Sequence, residues 1–463
     1  MLKLYNTLSG KKEDFKPLKN KKVNLFVCGP TVYDFPHIGH ARTYIIFDVI
    51  VKFLRYKGYK VFYLQNITDV DDKIINRAKE KNLPPKELAQ NFEKEYLKDM
   101  ESLKINSVNK YARATEHIKE IISQVERLLK KGYAYHLEDG IYYDISKFKE
   151  YGKLSKRTVL QAEDGVSRID EGLNKRNKGD FCLWKFSRPE ESKWPSPWGL
   201  GRPGWHIEDT AITEKYFGPQ YDAHGGGKDL IFPHHEAEIS QMEAISGKKP
   251  LVKYWIHTGF LTVNGQKMSK SLGNFITIRD FLKENSARLT RFFIIKNLYR
   301  SPIDYSEKSI IQAKKELERI DEFIEKLKEQ KSKKKGQMEK LILSTEKKFE
   351  EVMEEDFNTP KAIALIFDLI SKGNSLIAKN ELGASEAKKT LNFFKKIDKF
   401  FDFIFWQKSK EKIPSDIIEL AKQRENYRKT NQWQKADEMR KEIEKLGYQI
   451  EDTKEGPKIK KVY

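Results

Sequence analysis

A strand–helix–strand pattern near the start of the chain limits the fold more than any other feature of the sequence. The run VNLFVC at residues 23–28 is apolar and ends at Gly29, which predicts a buried strand followed by a sharp turn. Apolar residues then recur at helical spacing over residues 38–56, and KVFYLQNI at residues 60–67 is again typical of a strand. Because such a unit implies a parallel sheet, we predict an α/β fold with a Rossmann-like parallel sheet.

The composition of the remaining chain predicts further segments around this sheet. Lys, Glu, Leu and Ile at helical spacing dominate from about residue 306, which indicates an all-α bundle. We also predict that residues 84–131 are helical and that the lysine-rich segment 326–340 is a solvated helix connection. The predicted segments are a catalytic domain at 1–255 with an insertion at about 132–200, a connecting region at 256–305, a helical bundle at 306–406 and a small C-terminal domain at 415–463.

The chain carries a large positive charge, since 88 Lys and Arg residues against 68 Asp and Glu residues give +20 over 463 residues. Such a surplus favours a polyanionic partner, either nucleic acid or an acidic membrane surface, although a generally lysine-rich composition also produces it. The most apolar helical stretch is interrupted by Asp48 and Lys52, so we expect no membrane span. The chain has only two cysteines, Cys28 and Cys182, which excludes a disulfide framework and indicates a cytoplasmic protein.

The first candidate catalytic motif, HIGH, stands where the predicted turn enters the first helix. A helix N-terminus presents unpaired backbone N–H groups and a partial positive charge, so it attracts phosphate. His37 and His40 are placed to donate hydrogen bonds to phosphate oxygens, and Gly39 lets a nucleotide approach the backbone closely. Taken alone, the motif also fits two histidines that cap and pack a helix.

The second candidate motif, KMSKSLGN at residues 267–274, has two lysines three residues apart among serines and a glycine. A mobile loop of this kind can close over a triphosphate and neutralise the departing pyrophosphate. Taken alone, Lys267 and Lys270 also fit a solvated basic loop. Because HIGH precedes them in the same chain, the pair of motifs favours chemistry on a nucleotide.

The two motifs resemble the signature pair of the class I aminoacyl-tRNA synthetases. More narrowly, the sequence is similar to the cysteinyl-tRNA synthetase family over nearly its whole length, from about Tyr5 to Lys460. The motifs that carry this resemblance are FVCGPTVYD, NITDVDDKII, GRPGWHIE, GGGKDLIFPHHE and DFNTPKA.

The resemblance implies an enzyme that activates cysteine with ATP to cysteinyl-adenylate and transfers it to the 3′-terminal adenosine of cysteine tRNA. Magnesium is expected with the ATP. Positioning and charge stabilisation can supply most of the acceleration, because no covalent enzyme intermediate is needed. The resemblance assigns catalysis to His37, His40, Lys267 and Lys270, ATP binding to Gly39, Asp229 and Lys270, and cysteine binding to Cys28, Thr68 and Trp205.

A zinc site is implied by the resemblance and by the stretch FPHHEAEISQ. His234 and Glu238 are four residues apart and lie on one face of a predicted helix. Zinc separates cysteine from serine because Zn²⁺ binds a thiolate strongly and a neutral hydroxyl weakly. The remaining family ligands are two cysteines, of which this chain keeps Cys28 and has Asp209 at the other position.

Asp209 leaves two possibilities open. A carboxylate is a competent zinc ligand, so one zinc per chain could persist with less charge donation, as a stronger Lewis acid that is held more weakly. Alternatively, no metal binds and Cys28 is a buried structural thiol. His235 and Glu236 are ranked below His234 as ligands, because they lie on other faces of the predicted helix.

The C-terminal segment resembles the anticodon-side part of the same family. There Trp433, Asp437 and Arg440 are candidates for contacts with anticodon bases through stacking and base-edge hydrogen bonds. A charged helix with an Asp–Arg pair at i,i+3 is the alternative.

The resemblance implies a cytoplasmic enzyme whose partners are cysteine tRNA, ATP and cysteine, and we expect a monomer without an editing domain. Three alternatives remain open. One is a related ligase that attaches cysteine to an amino-sugar and lacks the full anticodon-side extension. The others are a tRNA-binding paralogue without catalysis and a small-molecule nucleotidyltransferase with an HxGH motif.

Overall fold

The computed structural model describes residues 1–157, 174–268, 272–332, 336–406, 414–453 and 456–461. The chain forms two compact units, one of residues 1–281 with 287–404 and one of residues 282–286 with 405–463. The predicted boundaries near residues 255 and 305 fall inside the first unit and stay predictions. Parts of the predicted insertion and of the lysine-rich segment lie outside the described residues.

Strands and helices alternate through the first half of the chain, and helices dominate the second half. The strands are β1 (Lys3–Asn6), β2 (Lys11–Asp14), β3 (Lys22–Val27), β4 (Lys60–Ile67), β5 (Lys110–Arg113), β6 (Ala134–Leu137), β7 (Gly140–Tyr143), β8 (Phe181–Phe186), β9 (Trp194–Ser196), β10 (Gly199–Pro203), β11 (Tyr221–Gly227), β12 (Val252–Thr258), β13 (Leu261–Val263), β14 (Gln266–Lys267), β15 (Ile303–Tyr305), β16 (Tyr448–Thr453) and β17 (Gly456–Lys461). The helices are α1 (Ile38–Tyr56), α2 (Asp72–Lys81), α3 (Pro85–Ser102), α4 (Ile118–Lys130), α5 (Ile207–Phe217), α6 (Glu236–Ser246), α7 (Ile278–Glu284), α8 (Ala287–Ile295), α9 (Glu307–Lys328), α10 (Met338–Glu354), α11 (Thr359–Ala378), α12 (Ala384–Phe401), α13 (Ser415–Lys429) and α14 (Trp433–Lys445).

The central sheet of the first unit has the strand order β12-β11-β3-β4-β5, and all its neighbouring strands pair in parallel. Strands β3 and β4 pair from Lys22 with Lys60 to Val27 with Gln65, and α1 connects them. The predicted Rossmann-like α/β fold is confirmed. Since parallel strands end at one edge, the segments after β3, β4 and β11 meet there, which places the site.

The prediction of continuous helix over residues 84–131 is wrong in its middle. Strand β5 pairs in parallel with β4 at the edge of the sheet, from Leu64 with Lys110 to Ile67 with Arg113. A strand of four residues is too short for its alternation to stand out from flanking helical periodicity. The predicted insertion contains an antiparallel sheet of order β6-β7-β8-β10-β9.

A buried ion pair fixes α1 against α8. Asp48 and Arg291 are both fully buried, and Nη2 of Arg291 lies 2.9 Å from Oδ2 of Asp48. Lys52, one turn further along α1, lies 2.8 Å from the same carboxylate oxygen. Burial alone raises the pKa of Asp48, but the charges of Arg291 and Lys52 outweigh it and hold the pKa below its ordinary value.

Helices α9 to α12 pack together within the predicted bundle of residues 306–406. Ser306 begins α9 by accepting a hydrogen bond from the N–H of Ser309, and Phe349, Phe393 and Phe400 form an aromatic layer inside the bundle. The second unit packs α13, α14 and the hairpin β16–β17 around Ile443 and its apolar neighbours. Among the described residues, none of the helices is long and apolar enough to cross a membrane.

Candidate active site

The carboxyl edge of the parallel sheet borders a cavity of about 380 Å³. Ligands of open α/β sheets bind at this edge. The turn after β3, the start of α1, the end of β11 and the chain around β13 and β14 form its walls. The predicted site residues that line the cavity are Cys28, His37, Gly39, His40, Trp205, Asp229 and Lys267.

The two histidines of HIGH cap the helix that they begin. His37 is the N-cap of α1, and its Nδ1 accepts a hydrogen bond from the backbone N–H of Gly39 at 3.0 Å. Nδ1 of His40 accepts from the backbone N–H of His37 at 3.2 Å, and the two rings stack with centroids 3.9 Å apart. A Cβ atom at Gly39 would lie 2.7 Å from the ring of His37, so this packing requires glycine. Capping, the alternative role of these histidines, is therefore present in the structure.

Capping also decides which nitrogen of each ring carries the proton. In a neutral imidazole one nitrogen accepts and the other donates, and here both Nδ1 atoms accept. Burial, assisted by neighbouring His37, holds the pKa of His40 well below its ordinary value, so its ring is neutral. The proton therefore resides on Nε2 of His40, and on Nε2 of His37 when that ring is neutral, and each Nε2–H can donate to a phosphate oxygen.

The chain after the second motif is bonded to the start of α1. The backbone N–H of Ile38 donates to the carbonyl of Ile276 at 3.1 Å, and that of Ile278 donates to the carbonyl of Pro36 at 2.9 Å. Lys267 lines the cavity, with its Nζ 5.6 Å from the ring centroid of Phe260. Lys270 lies outside the described residues.

A buried arginine, which the sequence reasoning missed, holds another wall of the cavity. Arg42 is 2% exposed, and its guanidinium donates to the carbonyls of Phe260 at 2.5 Å, Tyr299 at 3.1 Å and Ser301. Burial lowers its pKa to about 10. These bonds tie the turn after β12, which lines the cavity, to α1 two residues beyond His40. The sequence could have indicated this role, because Arg42 stands among the largely apolar residues of α1.

The four predicted metal ligands come together in a buried cluster. Their ligand atoms all lie within 4.8 Å of one another. Sγ of Cys28 is 3.4 Å from Oδ2 of Asp209, and Nε2 of His234 is 2.9 Å from the same oxygen. Nε2 of His234 also lies 3.4 Å from Oε1 of Glu238. The two separations of 3.4 Å are close to the roughly 3.4–3.6 Å that tetrahedral zinc imposes on its N, O and S ligands, whereas the contact between His234 and Asp209 has the shorter length of a hydrogen bond.

The polar groups of this cluster are left unsatisfied without a cation. Both carboxylate oxygens of Glu238 and Oδ1 of Asp209 are buried and accept no hydrogen bond within the described parts of the chain. Burial, followed by the charge of Asp209, raises the pKa of Glu238, and burial with the charges of Asp209 and Glu238 raises the pKa of the Cys28 thiol. Buried carboxylates without donors are costly, so the donor set fits a divalent cation.

Two more histidines face the same sulfur, contrary to the low rank given to His235. Nε2 of His235 lies 3.1 Å and Nε2 of His224 lies 3.3 Å from Sγ of Cys28. The face argument failed because residues Ile231–His235 form a π-helical turn with non-helical backbone at Phe232, and α6 begins only at Glu236. His224 was missed, although its position near the end of β11, directly before GGGKDL, was a usable signal.

The other predicted substrate residues take different positions. Trp205 lines the cavity and stacks on His234, with ring centroids 4.4 Å apart. Thr68 is 2% exposed, and its hydroxyl donates to the carboxylate of Glu208, next to Asp209, so it lies behind the cluster of candidate metal ligands. Glu236 is buried and accepts hydrogen bonds from the backbone N–H groups of Leu154 and Ser155, which gives it a structural role.

Comparison with known proteins shows which family this chain belongs to. Residues 14–315 match the model of the tRNA synthetases class I (C) catalytic domain, and residues 348–405 match the DALR domain. The chain is 46% identical to the cysteine–tRNA ligase of Thermococcus gammatolerans, with 100% of this chain and 99% of the relative covered. The chain belongs to the cysteine–tRNA ligase family. It is thus related to ligases that form an aminoacyl-tRNA.

Further members of the cysteine–tRNA ligase family are similar to this chain over nearly its full length. The enzyme of Pyrococcus furiosus is 47% identical with 98% of both chains covered, and that of Methanococcus maripaludis is 46% identical with 100% of both covered. Among solved structures, Mycobacterium tuberculosis methionyl-tRNA synthetase with methionyl-adenylate gives a TM-score of 0.60 at 16% identity, covering 83% of this chain and 88% of that one. A LeuRS–tRNA–LeuAMS complex from Agrobacterium radiobacter gives 0.62 at 11%, covering 84% and 85%. These likenesses establish the class I synthetase fold.

The residues of this chain that the resemblance assigns to anticodon contacts lie on α14 in the second unit. Trp433, Asp437 and Arg440 are exposed and follow helical spacing, so they share one face. Nε of Arg440 lies 3.5 Å from Oε1 of Glu444, an ion pair at i,i+4.

Proposed function

We propose that this chain activates cysteine with ATP and transfers it to the 3′-terminal adenosine of cysteine tRNA. The observation that carries the proposal is a single cavity with the capped HIGH motif on one wall and Cys28 of the buried cluster on another. Membership of the cysteine–tRNA ligase family supplies the reaction, and this cavity supplies residues suited to both substrates.

The phosphate chemistry is assigned to the HIGH side of the cavity. His37 and His40 donate from Nε2 to oxygens of the α-phosphate as the cysteine carboxylate attacks it in line. Lys267 and Lys270 neutralise the departing pyrophosphate, and Mg²⁺ accompanies the ATP. Asp229 accepts hydrogen bonds from the ribose hydroxyls at the cavity wall. Because these groups act by position and charge, no covalent enzyme intermediate is required.

Recognition of cysteine is assigned to the buried cluster. We infer that Cys28, Asp209, His234 and Glu238 hold one zinc ion, supported by their three unpaired carboxylate oxygens. A zinc ion held by these residues would supply a site for the thiol of cysteine that the hydroxyl of serine fits poorly. Trp205, stacked on His234, packs beside the bound amino acid, and Thr68 orients Glu208 behind the cluster. Since the metal supplies the discrimination, no editing activity is needed.

We assign recognition of the anticodon to the exposed face of α14 that carries Trp433, Asp437 and Arg440. An exposed tryptophan can stack on an unpaired base, and the charged groups can read base edges. The net charge of +20 adds a salt-dependent attraction for the tRNA backbone. We further infer that the enzyme works in the cytoplasm as a monomer, which size-exclusion chromatography of the purified protein tests.

A pair of assays tests the proposed function. ATP–pyrophosphate exchange is expected with cysteine and not with serine, and a transcript of cysteine tRNA is expected to be charged. No exchange with cysteine would contradict activation altogether, and exchange without charging would favour the amino-sugar ligase. Lys267→Met is expected to abolish most of the exchange, whereas Lys372→Met, an exposed lysine paired with Asp368 in the helical bundle, serves as the matched control.

A further inference from the structure

The buried cluster contains two complete ligand sets that share one edge. One set is Cys28, Asp209, His234 and Glu238, and the other is Cys28, His224, His235 and Glu238. In each set the four ligand atoms lie within 4.8 Å of one another. We propose that the metal ion has two positions in this chain, an outer position held by Asp209 and His234 and an inner position held by His224 and His235, with Cys28 and Glu238 common to both.

The inner position, like the outer one, brings four candidate ligand residues close together. Nε2 of His224 and Nε2 of His235 lie 3.3 Å and 3.1 Å from Sγ of Cys28. Nε2 of His235 is 4.0 Å from Oε1 of Glu238, and Nδ1 of His224 is 3.5 Å from Oε2. The two unpaired oxygens of Glu238 therefore face histidines of both sets.

The rings of His224 and His235 are each fixed by a contact at the second ring nitrogen, as in histidines that bind metals. A ligating histidine almost always bonds through its second ring nitrogen to a fixed partner. Nδ1 of His224 is 2.7 Å from the hydroxyl of Tyr221, and Nδ1 of His235 is 2.8 Å from Nε2 of His257. Both rings also pack on the fully buried Trp255, with centroids 4.4 Å and 5.1 Å away. Each Nε2 atom is thus directed at the cluster by a rigid surround.

Donor chemistry favours the inner position while no substrate is bound. Zinc prefers imidazole and thiolate to carboxylate, and the inner set replaces one carboxylate with a second imidazole. Asp209 and His234 meanwhile bond to each other at 2.9 Å, a contact that the outer position has to open.

The outer position lies nearer the cavity that the substrate enters. Trp205, which lines the cavity with Cys28, stacks on His234 of the outer set, whereas His224 and His235 pack on Trp255, which is not among the lining residues. The thiol of cysteine would then bind the ion at the outer position, where Asp209, His234 and the substrate sulfur would replace His224 and His235, and the thiol proton would pass to one of the two released imidazoles. This inference rests on the proposed zinc site and specifies how substrate binding changes it.

X-ray absorption fine structure of zinc-loaded, full-length protein counts imidazole and sulfur ligands directly. Without cysteine we expect two imidazoles and one sulfur, and with saturating cysteine one imidazole and two sulfurs. One imidazole under both conditions would overturn the two-position proposal and leave the zinc site standing. Protein that retains no zinc would overturn both, so the two failures are distinguishable.

Adjacent histidines provide a matched pair of variants. His235→Gln removes the inner position, so one imidazole is expected before and after cysteine addition. His234→Gln removes the outer position, so two imidazoles are expected throughout, with no second sulfur on cysteine addition. His224→Gln repeats the inner test if His235→Gln fails to fold, as judged by circular dichroism. Equal ligand counts in the His234 and His235 variants would contradict the proposal.

A change at Asp209 gives an independent test. Asp209→Cys offers the outer position a second thiolate, which zinc prefers to carboxylate. We expect this variant to show one imidazole and two sulfurs already without cysteine. If two imidazoles persist in Asp209→Cys, the choice of position does not depend on the outer donors, and the proposed reason for the resting state is overturned.

Discussion

Nδ1 of His40 accepts a hydrogen bond from the backbone N–H of His37 at 3.2 Å, while Nδ1 of His37 accepts from Gly39. The two histidines of HIGH thereby close the first turn of α1 and direct their proton-bearing Nε2 atoms to other partners. Capping a helix and stabilising a phosphate are usually alternatives for such residues. Here the observed cap and the proposed phosphate contact both depend on one tautomer, so a variant can separate them.

Replacing His40 by asparagine and by glutamine separates the two roles. The amide oxygen of asparagine can occupy the place of Nδ1 and keep the cap, whereas glutamine extends its amide towards the place of Nε2. We expect His40→Asn to fold normally and to lose about 100- to 1000-fold in the rate of ATP–pyrophosphate exchange, as when one transition-state donor is removed. His40→Gln is expected to recover part of the rate. Equal rates for both variants would contradict a role for Nε2.

The two cysteines of the chain provide a test of the metal site. Cys28 belongs to both ligand sets, whereas Cys182 is buried beside Tyr135 and Tyr142 in a separate apolar cluster. We expect Cys28→Ser to weaken zinc binding by more than about 100-fold, since changes behind the ligands already cost about 10- to 100-fold. Cys182→Ser should keep the zinc. Zinc titration with a metallochromic indicator measures both, and equal affinities would exclude Cys28 as a ligand.

Removal of zinc is expected to lower thermal stability. A ligand that binds only the native state stabilises it in proportion to the logarithm of its free concentration over Kd, which is about 2.7 kcal/mol at 100 times Kd. Chelator should therefore lower the Tm of the wild-type protein, measured by calorimetry. In Cys28→Ser the same chelator should change the Tm little, and a full shift in that variant would point to another zinc site.

The buried Asp48–Arg291 pair predicts a pH-dependent contribution to stability. Asp48→Asn leaves the buried Arg291 without its carboxylate, whereas Lys52 keeps its ion pair with Asp402, and breaking a buried pair costs about 3–5 kcal/mol of unfolding free energy. Because the pKa of Asp48 is lowered in the folded state, its contribution is present above the ordinary aspartate pKa of 3.8 and is lost on acidification below it. Urea unfolding at neutral and acidic pH should show the difference between wild type and variant shrinking in acid.

Recognition of tRNA by α14 is tested with residues on different faces of that helix. We expect Trp433→Ala to weaken binding of cysteine tRNA through loss of base stacking, worth about 1–3 kcal/mol. Gln434→Ala is the control. Gln434 is also exposed, but it follows Trp433 directly in the helix and therefore points about 100° away from it around the helix axis. Filter binding measures the affinity, and aminoacyl-adenylate formation should be unchanged in both variants. A defect in adenylate formation would mean that Trp433 acts on the fold.

Much of the fold was determined by patterns within short stretches of sequence. Strand β3, helix α1 and strand β4 were predicted because an apolar run, a helical period and a second run follow one another without interruption. The bundle of α9 to α12 was predicted from its helical period for the same reason. Strand β5 was not, because four residues carry too little periodicity and the neighbouring strand decides their conformation.

The sequence by itself predicted that HIGH and KMSKS belong to one nucleotide site and that His234 and Glu238 lie on one side of a candidate metal site. The family resemblance put Cys28 and Asp209 in one ligand set, and the tertiary structure brings them together across 181 positions of sequence. Only the tertiary structure placed His224 and His235 against the same sulfur. The reason is physical: periodicity reports which face a residue occupies on its own element. The π-helical turn at Ile231–His235 and the meeting of parallel strand ends are properties of packing, which no local pattern contains.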